Sequence, residues 1–124
     1  MKKLYRVKKN REFTRIMNQK RFVSCPSFSV YYAPRAESIS RIGISVGKKL
    51  GGAVVRNKVK RQVRMMVQHI TGFDEKFDCI ILVRMAYLKQ AFAENEHDLA
   101  KSFTTIRLKL SALSIKETHE TTVQ

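Results

Sequence analysis

The run Phe77-Asp78-Cys79-Ile80-Ile81-Leu82-Val83 constrains the fold more than any other segment of the chain. A strand with one wet face alternates apolar and polar residues. A run this continuous belongs to a central strand buried on both faces. Both faces of its sheet must then be covered, and helices are the natural cover.

The rest of the chain supplies partners for that strand. Residues 27–33 alternate, with Phe28, Val30 and Tyr32 on one face and Ser27, Ser29 and Tyr31 on the other, as a half-buried strand does. Ile39 to Val46 reads as a second alternating strand, with Ile42, Ile44 and Val46 inward. The short gap between the two suits an antiparallel hairpin. Before them, residues 1–9 form a basic arm, and Asn10 is placed to cap an amphipathic helix running to about Lys20. Phe13, Ile16 and Met17 recur there at helical spacing. A last helix from Ala93 to about Leu110 carries Leu99, Phe103, Ile106 and Leu110 on one stripe. Residues 1–110 form one domain, and the polar stretch 111–124 is expected to be a disordered tail. The fold class is α+β: a small mixed sheet covered by helices, in the order helix, strand, strand, helix, strand, helix.

Charge is distributed unevenly. The 124 residues carry a net charge of +15. Residues 1–73 hold 18 Lys or Arg against two acids, Glu12 and Glu37, whereas residues 74–124 hold seven against eight. A hydrophobic fraction of 44% is ordinary for a folded domain, so the excess marks a cationic surface and not disorder.

The densest part of that surface is the helix after Gly51-Gly52. From Arg41 to Arg64 there are eight Lys or Arg and no acid. At about 100° per residue, Val55, Val59, Val63, Met66 and Ile70 share one edge, while Arg56, Asn57, Lys60, Arg61 and Arg64 fill the neighbouring sector. The ordinary explanation of helical charge is a solvated face. Here no acid stands three or four residues from any cation, and such like charges repel. An anionic partner, phosphate first, accounts for that arrangement. Asn57 adds a short amide for a phosphate, a 2′-hydroxyl or a base edge. Gly72 is expected to stop the helix.

Several chemistries are disfavoured. The acids form no general acid/base pair in the basic region. His69, His97 and His119 are scattered without co-ligands, and His69 is expected to meet the helix C-terminal dipole. Gly47 to Gly52 lacks the P-loop pattern. Cys25 and Cys79 have no metal-type spacing and are expected reduced and buried in strands. Catalytic and metal-ligating residues are therefore expected to be absent. No apolar run approaches the length of a membrane span, and the N-terminus has no continuous apolar stretch, so a cytoplasmic location is expected.

Aromatic side chains form a second constellation. With Phe28, Val30 and Tyr32 inward, Tyr31 faces the other way and offers a stacking platform for an unpaired base. Burial beneath the first helix is the competing role. Phe13 and Met17 on that helix could line the same groove, or serve as core.

Arg56-Asn57-x-x-Lys60-Arg61-x-x-Arg64, after Lys48-Lys49-x-Gly51-x-Ala53-Val54, resembles the signature of the bacterial ribonuclease P protein subunit. Lys8-Lys9-Asn10-x-x-Phe13 and Phe28-x-x-Tyr31 support the resemblance, which runs from about Leu4 to Leu110. It implies that the basic helix lies in a left-handed crossover between parallel strands, against the usual hand. It implies a catalytic RNA as partner and precursor tRNA as substrate, cleaved to release the 5′ leader. Magnesium would be held mainly by that RNA, with no membrane or DNA partner. Carried over, Arg56, Asn57, Lys60, Arg61, Arg64, Lys48 and Lys49 meet the catalytic RNA, and Phe13, Met17 and Tyr31 line the leader groove. Met17 stands where an aromatic is common, and Gly52 where Asn is usual. The competing reading is a structural RNA-binding protein of the ribosome-assembly type. A protein-only nuclease using Asp74 or Asp78 is a third.

Overall fold

The computed structural model describes residues 2–123, with side chains described as far as residue 112, Lys3 excepted. Helix α1 is Asn10–Asn18. Three strands follow, β1 (Phe22–Ser24), β2 (Phe28–Pro34) and β3 (Ile42–Ser45). Helix α2 is Ala53–Ile70, β4 is Phe77–Val83, and α3 is Phe92–Val123. Short 3-10 turns occupy Lys48–Leu50 and Met85–Lys89. The expected tail over 111–124 falls largely beyond the described side chains.

The sheet order is β1-β2-β4-β3. The apolar run is indeed central: β4 pairs antiparallel with β2, Tyr31 opposite Ile80, and parallel with β3, Ile44 opposite Ile81. The expected hairpin between β2 and β3 does not form, because β4 lies between them. Only that insertion covers both edges of a strand whose residues are nearly all buried. Antiparallel β1 completes the other side, with Phe22 opposite Tyr31. The three-residue β1 is too short to show alternation in the sequence.

Each face of the sheet has its own cover. Phe28, Val30, Tyr32, Ile42, Cys79 and Ile81 pack against Val59, Val63, Met66 and Val67 of α2 and Leu99, Phe103 and Ile106 of α3. Phe103 meets Phe77 edge to face at 5.5 Å. The opposite face is smaller. Ile16 of α1 packs there on Ala33 and Ile80, joined by Val7, Met17, Tyr31 and Leu82.

The basic arm adds to the sheet. Val7 N–H donates to the Ile42 carbonyl at 3.2 Å, and Arg6 bridges Ile42 in parallel. The free edge of β3 is thus covered at Ile42. Gly43 permits this approach, since a Cβ there would lie 2.7 Å from Ile80 Cδ1 and 3.3 Å from Val7 Cβ.

Several local expectations are corrected. Lys9, without a side-chain bond, occupies the N-cap of α1, and Asn10 is the first helical residue. Helix α2 ends at an extended Thr71. The positive φ after it, 63°, falls on Phe73 and not Gly72. Phe73 is held by stacking on Tyr5, with ring centroids 4.3 Å apart. Val55 is exposed at 39%, and Val67 takes a core place instead. Buried Cys79 lies in β4, whereas half-buried Cys25 lies in the β1–β2 turn; both are free thiols. Burial raises the Cys79 thiol pKa well above its usual value.

Candidate nucleic-acid interface

Helix α2 is launched by a turn built for display. Lys48 and Lys49 stand exposed on the 3-10 turn while Leu50 anchors it in the core. Gly51 takes φ 142° and ψ −168°, a backbone region essentially restricted to glycine. Gly52 is the N-cap, without a side-chain bond, and its carbonyl accepts the first helical bond from Arg56 N–H at 3.0 Å. The first turn of α2 thus leaves amides and cations together, with no acid to offset them.

Among the described residues, Arg56, Lys58, Lys60, Arg61 and Arg64 form no ion pair. Glu12, Glu37 and Asp78, the acids near α1, are engaged with other arginines. Arg41 binds Glu12 at 2.5 Å and Glu37 at 2.7 Å. Asp78 receives Arg15 at 2.6 Å and the backbone N–H groups of Arg41 and Ala36 at 2.9 and 3.3 Å. That occupation, with Asp78 3% exposed, leaves it no role as a solvent-facing catalytic base.

Arg6 and Arg64 come together where the arm passes α2. Burial first, and then the charge of Arg6, lowers the Arg64 pKa below its ordinary value. With Arg61, Met65, Gln68 and His69 they line an open cleft of about 510 Å³. An anion entering it would relieve the repulsion of its arginines. His69, in the last turn of α2, places its Nδ1 3.1 Å from Glu96 Oε1 of α3.

The aromatic constellation lies on the α1 side of the sheet. Phe13 is 38% exposed on α1. Half-buried Met17 and Tyr31 line the boundary between α1 and the sheet. The structure adds Phe22, 48% exposed and stacked on Tyr31 with centroids 5.0 Å apart. Sequence reasoning missed Phe22 because its face is fixed only by pairing with β2. Tyr31 packs against the cluster of Ile16, Ala33 and Ile80, and its ring stacks on Phe22. The α2 cations therefore flank one layer, and the aromatic side chains occupy the other.

Among the described residues, no three His, Cys, Asp or Glu side chains gather as a metal site. Their helices include none long and apolar enough to cross a membrane.

These features define a small basic α+β protein with a cationic helix in a parallel strand crossover and a separate aromatic cluster on the opposite face of the sheet. The chain belongs to the ribonuclease P protein family: the family model for Ribonuclease P matches residues 1–107. It is 46% identical over 104 residues to the ribonuclease P protein component of Mycoplasma mycoides, covering 82% of this chain and 94% of that one. It is 41% identical over 97 residues to the corresponding component of Mesoplasma florum, covering 77% and 88%. Among solved structures it resembles the RNase P protein of Staphylococcus aureus, with TM-score 0.74 and 33% identity over 82% of this chain and 94% of that one. The RNase P protein of Thermotoga maritima matches with TM-score 0.68 and 27% identity over 77% and 92%. Family membership favours the ribonuclease P reading over a ribosome-assembly protein.

Proposed function

We propose that this ribonuclease P protein component works through two separate RNA-binding surfaces. Arg56, Asn57, Lys60, Arg61 and Arg64, with Lys48 and Lys49 on the preceding turn, meet the phosphates of a catalytic RNA. Phe13, Met17 and Tyr31 hold the single-stranded 5′ leader of precursor tRNA, which the holoenzyme removes by endonucleolytic cleavage. In this reading the RNA performs the cleavage in the cytoplasm, and magnesium is held mainly by RNA.

The observation that carries the reading is the segregation of charge. The acids Glu12, Glu37 and Asp78 neutralise Arg15 and Arg41 near α1, whereas the cations of α2 have no acidic partner among the described residues. A polyanion laid on α2 gains favourable contacts without breaking internal ion pairs. With about 6–10 phosphates engaged, affinity should fall by about 10³–10⁵ between 50 and 200 mM salt.

The test is stimulation of a bacterial ribonuclease P RNA at low magnesium. Purified protein should accelerate precursor tRNA cleavage, and Arg61→Ala should weaken assembly or catalysis at every leader length. A flat salt response, or no stimulation, would reject the reading.

A further inference from the structure

The other flank of α2 carries a second cleft, on the opposite side of the sheet from α1. Val54, Lys58 and Gln62 of α2, Leu88 and Gln90 from the loop after β4, and Phe92 at the start of α3 line about 510 Å³. That size lies within the range of small-ligand clefts, about 300–1,000 Å³. Its walls are unusually bare: Val54 is 84% exposed, Leu88 46% and Phe92 37%. Among the described residues lining it, Lys58 carries the only charge, and none is acidic. Lys58 has no ion-pair partner among the described residues.

Polar groups at the cleft are anchored at one end. Tyr87 O–H donates to Gln62 Oε1 at 2.7 Å, and the Ser27 hydroxyl engages the Gln90 carboxamide. Each amide keeps its other end for a partner. Exposed apolar side chains including the Phe92 ring, amides anchored at one end and an ammonium without an ion-pair partner among the described residues together match a nucleotide: a face to stack, an edge to bond and a phosphate to neutralise. The position supports the same occupant. Lys58 follows Val54 by four residues and precedes Arg61 by three, so one helical stripe leads from the cationic sector into the cleft.

We propose that this cleft receives an unstacked nucleobase of the partner RNA, with Phe92 and Leu88 against its face and Gln62 and Gln90 at its edge. The proposal rests on the reading of α2 as an RNA-binding surface. It adds an apolar, base-reading component to a helix whose other contacts are electrostatic.

Leu88→Ala and Phe92→Ala, each in the full chain, test it against a bacterial ribonuclease P RNA, with Arg61→Ala as a control. Melting temperature and circular dichroism establish that each variant is folded. Loss of one base stack should weaken binding about five-fold or more. The dependence of affinity on salt should keep its slope, since no phosphate contact is removed. RNA carrying 4-thiouridine should photo-crosslink within residues 85–92 of the wild-type protein.

If both folded variants bind as wild type while Arg61→Ala is impaired, the cleft proposal fails and the α2 reading stands. If all three bind as wild type, both fail. Self-association of the protein that Phe92→Ala abolishes would assign the cleft to a second copy and overturn the proposal.

Discussion

The Arg15 guanidinium stands 2.6 Å from the Asp78 carboxylate, tying α1 to the central strand across the smaller face of the sheet. The same carboxylate accepts from the backbone of Ala36 and Arg41, so it joins α1, the β2–β3 loop and β4. It thereby holds α1, and Met17 with it, against the sheet. Asp78→Asn keeps the volume but removes the charge and turns an acceptor toward a donor. The expected cost is about 1–3 kcal/mol, below that of a fully buried pair because Arg15 is 35% exposed. Equilibrium urea unfolding measures it, as a lower midpoint at unchanged slope. A wild-type midpoint would show that the carboxylate does not hold α1.

Phe22 and Tyr31 should act as one stacking unit. Their rings are 5.0 Å apart and Phe22 is the more exposed. Phe22→Ala and Tyr31→Ala should each weaken precursor tRNA binding by about 1–3 kcal/mol when a leader is present. Binding of mature tRNA, which lacks the leader, should not change. The double variant should lose less than the sum, because either change removes the shared stack. Equal losses on precursor and mature tRNA would exclude both residues from the leader groove.

What the sequence discloses depends on the range of the interaction. Helix α2 was legible because its signals are local: Gly51-Gly52 before it, the Val59–Val63–Met66 edge, and cations without acids nearby. The central place of β4 was legible from its burial on both faces. The strand order was not, because alternation in β2 and β3 is the same whether they pair with each other or with β4. Phe22 escaped notice for the same reason. The pairing of Arg6 and Val7 with Ile42 was hidden in a basic arm that lacks strand periodicity. Asp78 interrupts an apolar run and declares its purpose only when Arg15 meets it.

Glu75 gives the fold a pH dependence of defined sign. Burial alone would raise its pKa, but hydrogen bonds from Arg107 and Thr71 and the charge of Arg107 leave it below the ordinary value of 4.5. A depressed carboxylate pKa stabilises the folded state above the unfolded value, and that stability is lost as pH falls through the folded value. Wild type should therefore exceed Glu75→Gln in melting temperature at neutral pH. The gap should begin to close as pH drops below about 4.5. Thermal melts of both proteins across the acid range measure it, and a constant gap would remove Glu75 as its source.

The two glycines before α2 should respond oppositely to substitution. Gly51 sits at φ 142°, and a Cβ there would meet Val55 at 3.1 Å. Gly51→Ala should cost about 1–3 kcal/mol through backbone strain. It should also disturb the presentation of Lys48 and Lys49, lowering RNA affinity beyond the loss of stability. Gly52 has an extended N-cap conformation, φ −74° and ψ −179°, and no atom lies within 4 Å of an added Cβ. Gly52→Asn supplies the cap oxygen that α2 lacks and should raise stability by a few tenths of a kcal/mol. Urea unfolding of the two variants separates the effects. A neutral Gly51→Ala would mean that the turn relaxes to an ordinary backbone without cost, and a destabilised Gly52→Asn that the N-cap is not free to accept a side chain.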